Sequence, residues 1–210
     1  METIINSIPG YRVYEYLLVL SPHEELRSRI IKVKEEFAGK YKTNDAGKGN
    51  SYITLVNFSQ YAMMEERIIS RLHTIAMGFP PFKVELKDYG SFPSHTIYIN
   101  ITSKLPVQHL VKSIRTESQR LMKLNDDNKP HFIMEPHLTI GRKLKPWQYE
   151  KGWLEYSHKH FNGRFIANEM TLLKRLAVES PEGYRTKYQV AATFSFQNLP
   201  VATKQGELFG

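Results

Sequence analysis

The sequence predicts an α+β fold of two pseudo-symmetric lobes, each an antiparallel sheet with helices on its outer side, with a cleft between them. Three observations carry that prediction. Strand-like and helix-like stretches alternate in an order that repeats once along the chain. Two strands, at about 51–58 and 136–143, share an x-x-T pattern: Tyr52-Ile53-Thr54 and His137-Leu138-Thr139. The spacings around the two threonines also agree. A strand opens 28 positions after Thr54 (82−54) and 26 after Thr139 (165−139), while Leu17 precedes Thr54 by 37 and Tyr98 precedes Thr139 by 41. Self-similarity of that size points to duplicated units. The chain, 1–210, is read as a single bilobal domain with a frayed tail at 197–210.

The elements follow in order. Tyr11 to Leu20 reads as a strand, ending in the apolar run Tyr16-Leu17-Leu18-Val19-Leu20. Ser21-Pro22-His23-Glu24 suits a helix start: Ser21 as N-cap, Pro22 at the first turn, Glu24 completing a capping box. Leu26, Ile30, Val33 and Phe37 recur at helical spacing and Gly39 is a natural stop. Lys40 to Asn50 is a basic connector; its Gly47-Lys48-Gly49-Asn50 lacks the spacing of a P-loop. Ser51 to Phe58 is the first x-x-T strand. A helix from Tyr61 to Met77 turns Met64, Ile68 and Leu72 inward, with Met63 as further core filler. Phe82 to Leu86 alternates as a half-buried strand, Tyr89 to Ser94 is turn-rich, and His95 to Ile101 alternates again. Leu105-Pro106 opens a helix with Val107, Leu110, Ile114 and Leu121 inward. The second x-x-T strand follows, then a helix from Pro146, a strand at Met170 to Leu173, a turn at Ser180 to Gly183 and a closing strand, Lys187 to Phe196.

Composition narrows the chemistry. The chain has no cysteine, which excludes a disulfide framework, a thiolate metal site and a thiol nucleophile. Twenty-nine Lys+Arg against 21 Asp+Glu give a formal charge of +8. That favours a polyanionic partner, although a basic soluble protein that binds none fits the same number. The first apolar run is too short to span a bilayer and the N-terminus has no basic leader. The expectation is a cytoplasmic protein with no membrane partner.

On the second x-x-T strand His137 and Thr139 share one face with Gly141, while Leu138 and Ile140 share the other. An imidazole beside a hydroxyl, followed by Arg142, suits a phosphate: His for proton transfer, Thr for an oxygen, Arg for charge. A half-exposed strand that happens to carry a histidine has the same pattern. The first strand offers Tyr52 and Thr54 at the matching places. His95, at a strand end, and His131, six positions before His137, are further candidates for lining the cleft. Tyr52, Tyr89, Phe92, Tyr98 and Phe132 are candidates for stacking on a base.

Pro136-His137-Leu138-Thr139-Ile140-Gly141-Arg142 resembles the second H-x-[ST]-x motif of the 2H phosphoesterase superfamily, which includes the 2′-5′ RNA ligase-like proteins and related cyclic phosphodiesterases. The resemblance runs from about Tyr14 to Phe196. It implies a bilobal fold, no cofactor or metal, and acid–base chemistry on a phosphodiester or a 2′,3′-cyclic phosphate of RNA ends or nucleotides. His137, Thr139, Thr54 and Tyr52 would form the catalytic set, and Arg142, His95, His131 and Tyr98 would bind substrate. The sequence departs from the family at Tyr52, where the first histidine belongs. A phenol of pKa about 10 is ionised in only about one molecule in a thousand at pH 7, so it does not replace an imidazole base. Three readings therefore stand: a phosphoesterase with impaired turnover, a non-catalytic RNA or nucleotide binding module that uses the same cleft, and a structural domain with a vestigial cleft. No protein partner is inferable.

Overall fold

The computed structural model describes residues 9–43, 51–177 and 186–199. The elements are β1 (Val13–Leu20), α1 (Glu24–Tyr41), β2 (Ile53–Tyr61), α2 (Glu65–Gly78), β3 (Phe82–Phe92), β4 (Thr96–Ile101), α3 (Lys104–Met122), β5 (His131–Phe132), β6 (His137–Gly141), α4 (Pro146–Tyr156), β7 (Asn162–Ala167), β8 (Glu169–Leu176) and β9 (Gln189–Ser195). They build two sheets, β5-β2-β1-β8-β9 and β6-β4-β3-β7, antiparallel throughout.

The repeat is visible in this order. Without β5, the first sheet reads β2-β1-β8-β9 and the second β6-β4-β3-β7, with a motif strand first in each. The pairing of each motif strand also slips at the same place. Val19 faces Thr54 and Leu18 faces Val56, so Leu55 is an extra, bulged residue. Tyr98 faces Thr139 and Ile97 faces Gly141, so Ile140 is the extra residue. In both strands the bulge follows the threonine directly. This register corrects the spacing argument: Val19, not Leu17, matches Tyr98, at 35 positions before its threonine (54−19).

The lobes are not successive halves of the chain. β3 and β4 form a hairpin across a short turn, so β4 lies in the second sheet with β6, and His95 with it, rather than in the first lobe. The helices are exchanged. α1 leaves the first sheet and packs on β6, β7 and α4 of the second; α3 leaves the second and packs on β2 and α2 of the first. Each helix buries an apolar face against the sheet it crosses to. On α1, Leu26, Ile30, Phe37 and Tyr41 are buried; on α3, Val107, Leu110, Val111 and Ile114 are.

Several local expectations shift for identifiable reasons. α1 starts after His23, whose Nδ1 accepts from the Leu26 amide at 3.4 Å, so Ser21 and Pro22 precede the helix and the expected capping box does not form. Gly39 does not stop it. The helix runs to Tyr41 because that ring packs on Phe37 at 4.8 Å and its hydroxyl donates to Glu155. Lys42 then ends it in a left-handed turn at φ 51°. The presumed loop after Leu86 is strand: β3 continues to Phe92 past a bulge at Lys87–Asp88, where Asp88 has φ 56°. Met63 is 52% exposed rather than in the core. Phe196, Asn198 and Leu199 donate to the carbonyls of Asn168, Phe79 and Met77, so 197–199 is tied to the end of α2 and not frayed. The basic stretch at 47–50, the turn at 180–183 and residues 200–210 lie outside the described residues.

Candidate active site

Residues directly opposite on antiparallel strands share a face of the sheet. His137 lies opposite Asn100, and Thr139 opposite Tyr98. The intervening Ile97, Ile99 and Leu138 are fully buried on the other face, where Ile97 packs beside Gly152 of α4. So His137, Thr139, Tyr98 and Asn100 occupy the face of the second sheet that carries no helix. The bulge at Ile140 changes one expectation. Gly141 does not share this face but turns to α1, where a Cβ would come within 2.5 Å of the Phe37 ring. An extra residue breaks the period of two, and Gly141 lies beyond it.

The first sheet is arranged alike. Tyr16 and Leu18 point to α2, where the Tyr16 hydroxyl donates to Glu65 at 2.9 Å. Thr54, opposite Val19, is on the helix-free face. β2 and β6 run close to each other, and the Ile133 amide, on the approach to β6, donates to the carbonyl of the bulged Leu55 at 2.9 Å. The two motif strands therefore lie close together, each with its threonine on the helix-free face of its sheet.

The segment leading into His137 is held firmly. Gln108 of α3 donates to the Met134 carbonyl at 2.9 Å, and Lys104 pairs with Glu135 at 2.9 Å. The imidazole is half-buried in an aromatic corner, edge-on to Phe92 at 4.9 Å and tilted against Tyr98 at 5.1 Å. Gly90 makes room for that corner, because a Cβ there would fall 2.5 Å from the Tyr98 ring. His137 Nδ1 lies 2.7 Å from the Glu135 carbonyl oxygen. A carbonyl only accepts, so Nδ1 carries the proton and Nε2 is the basic atom of the neutral ring. Burial pushes the His137 pKa below its ordinary value, against an upward pull from the Glu135 carbonyl and carboxylate. The ring is neutral, and basic at Nε2, at pH 7.

A model of the 2′-5′ RNA ligase superfamily matches residues 21–179, about three quarters of the chain. The chain belongs to this superfamily. A protein of Geobacillus thermodenitrificans (strain NG80-2), provisionally named a phosphoesterase, is 27% identical over 100 residues, 46% of this chain and 54% of its own. The chain thus spans about half the length of the curated relative it matches. Among solved structures, TT0787 of Thermus thermophilus aligns with TM-score 0.64 and 16% identity, covering 87% of this chain and 98% of its own. E. coli LigT complexed with 3′-AMP aligns with TM-score 0.59 and 17% identity, covering 88% and 98%. At such identities the likeness is one of fold, and the fold agrees with the bilobal 2H phosphoesterase architecture.

The remaining candidates spread out along the superfamily fold. Tyr98 stands beside His137, the rings 5.1 Å apart. Tyr52 is half-buried at the bend that leads into β2. His131 lies opposite Asn57 on the helix-free face of the first sheet, exposed, and about 10 Å along β2 from Thr54 at ~3.3 Å per residue. His95 is exposed in the β3–β4 turn, its Nδ1 2.9 Å from the Pro93 carbonyl, and five residues, about 16 Å of strand, from the position opposite His137. The His95 amide donates to the Phe92 carbonyl at 3.4 Å. Arg142 is exposed past β6, near enough to Lys34 of α1 to help burial lower that amine to about 8. Tyr89 is not at the cleft. It packs edge-on to Tyr156 at 4.9 Å on the helix side, and burial raises it to about 12. Asn100 lies opposite His137, a neighbour that only the strand register reveals. Among the described residues no cluster of three His, Asp or Glu side chains is arranged for a metal, and no helix is long and apolar enough to cross a membrane.

Proposed function

We propose that the cleft acts on the phosphodiester or 2′,3′-cyclic phosphate of an RNA end or nucleotide, with His137 as the acid–base group. The observation that carries this reading is the Nδ1–H bond to the Glu135 carbonyl, 2.7 Å long, which fixes the tautomer and leaves Nε2 basic on the face that bears Thr139. In hydrolysis, Nε2 takes a proton from water as its oxygen bonds to phosphorus. One ring P–O bond then breaks, and the leaving oxygen takes a proton. Thr54 and Thr139 hold non-bridging oxygens. Tyr52, at the place of the superfamily's first histidine, donates a hydrogen bond to phosphate or supplies the leaving-group proton, and the phenolate is reprotonated from the His137 imidazolium through solvent. Without an imidazole there, turnover drops by about 10²–10⁴, the usual worth of a positioned acid or base. Phe92 and Tyr98 suit a nucleobase or ribose at the corner. LigT, of like fold, has been crystallised with 3′-AMP, ATP, NADP+ and phosphate, which supports a phosphate-bearing ligand for this cleft.

Tyr52 favours a second reading, a binding module that keeps phosphate affinity and has lost turnover. Both are tested by incubating the protein with an RNA oligonucleotide ending in a 2′,3′-cyclic phosphate. Slow opening of the cyclic phosphate that His137→Ala abolishes supports the enzyme. Salt-sensitive micromolar binding with no opening supports the module. Absence of both rejects the cleft as a phosphate site.

A further inference from the structure

Outside the cleft, a hollow of about 500 Å³ lies on the opposite side of the first sheet, between the C-terminal half of α3 and β5. Arg115, Gln119, Arg120, Lys123, Lys129 and Phe132 line it. With Pro130 the lining residues number seven; four are cations and none is an acid. The spacing of Arg115 and Gln119 puts them on one stripe of α3, and Lys123 follows at its C-terminal end. Asp126 pairs with Lys123 of the hollow itself, so the site's positive charge rests on Arg115, Arg120 and Lys129; Glu117 bonds Ser113 and lies 3.9 Å from Arg71. Phe132 gives the hollow a half-buried aromatic wall.

The hollow is tied to the cleft by short, rigid links. The buried Gln60 amide, at the end of β2, donates to the carbonyls of Leu121 and Lys123 at 2.8 and 3.0 Å, fixing the end of α3 to the strand that carries Thr54. β5 is the outer edge of that sheet. Its two residues point to opposite faces: Phe132 to the hollow, and His131, opposite Asn57, to the cleft side. Phe132 lies opposite Val56, so it is one strand across (about 4.8 Å) and two residues along (about 7 Å) from Thr54. A strand passing over the short edge β5 therefore leaves one site and enters the other within a few nucleotides.

We propose that this hollow is a second phosphate-binding site that holds the body of a single-stranded RNA whose end lies in the cleft. It makes an oligonucleotide, not a mononucleotide, the preferred ligand. Arg and Lys would bind phosphates, and Phe132 would stack on a base, the combination by which single strands are held without sequence readout. The inference rests on the reading of the cleft as a phosphate site, and the test separates the two.

Binding is measured for cyclic 2′,3′-AMP, for an eight-nucleotide RNA ending in a 2′,3′-cyclic phosphate, and for the same RNA ending in a 3′-hydroxyl. The proteins are wild type and the double variant Arg115→Gln, Arg120→Gln, with folding checked by circular dichroism. The variant is expected to bind both RNAs at least ~10-fold more weakly at low salt and to leave mononucleotide binding unchanged. Its log–log salt slope should fall by roughly 1.4, at ~0.7 per phosphate contact on a single strand. If the mononucleotide fails to bind but RNA binding remains sensitive to the variant, the hollow stands and the cleft reading falls. If RNA binding is unchanged, if RNA and mononucleotide weaken alike, or if poly-glutamate competes as well as RNA, the hollow is not an RNA site.

Discussion

β2 and β6 are two versions of one device. Each lies beside a central strand of its sheet, places a threonine on the helix-free face and bulges at the next residue, Leu55 or Ile140. They differ two residues before the threonine, where β6 has His137 and β2 has Tyr52 at its entrance. They also differ in support. His137 is fixed by its own carbonyl bond, and α3 clamps the segment before it. The comparison teaches that the bulge and the apolar backing set the geometry, while the imidazole is an addition the backbone does not require. Two motif strands of one shape carry different side-chain chemistry.

The sharpest way to break that comparison is Tyr52→His. If the strands differ only in side-chain chemistry, cyclic phosphate opening should rise by about 10²–10⁴ and remain dependent on His137. No gain, with normal folding, would show that β2 no longer aims its side chain at the cleft. Next in size is Gly141→Ala. The added Cβ meets the Phe37 ring in the core, where neither partner moves freely, so urea denaturation should show a loss of about 1–3 kcal/mol. Val56, the matching residue in β2, already has a side chain there, so a negligible loss at Gly141 would mean that the two bulges pack alike. Gly90→Ala should affect stability less, because the neighbouring atoms belong to the far end of the Tyr98 ring. Its effect should appear as weaker nucleotide binding, since Tyr98 must leave the corner of His137.

The smallest effect concerns pH. The folded pKa of His137 is below its ordinary value of about 6.5. Between those two values the unfolded chain binds more protons, so stability rises with pH across that window and falls as pH drops below about 6.5. An NMR titration should place the His137 midpoint under 6.5. Denaturation at several pH values should show a shallower acid slope in His137→Asn. A midpoint at or above 6.5 would mean the ring is solvated and the corner open.

Most of the architecture was legible because the apolar pattern and the repeat depend on local periods. The two threonines, His137 and Tyr98 follow from alternation along a strand. Gly141 was misread because a bulge is a property of pairing, not of one strand's pattern. Tyr89 and Phe92 fell in a stretch read as a turn, since Asp88-Tyr89-Gly90-Ser91 has turn composition, yet the bulge lets the strand continue. Asn100 came only from register. The exchange of helices was out of reach, because nothing in the apolar face of α1 says which sheet it will cover.

That exchange has a consequence for how the chain is made. α1 ends at Tyr41, and β6, on which it packs, ends at Gly141, 100 residues later (141−41). At synthesis rates of about 5–20 residues per second, the apolar side of α1 waits roughly 5–20 s for its sheet. During that interval the nascent chain exposes Leu26, Ile30 and Phe37 with nothing of its own to cover them. This fold is therefore one whose yield in a cell should depend on what shields the first helix until the last third of the chain emerges.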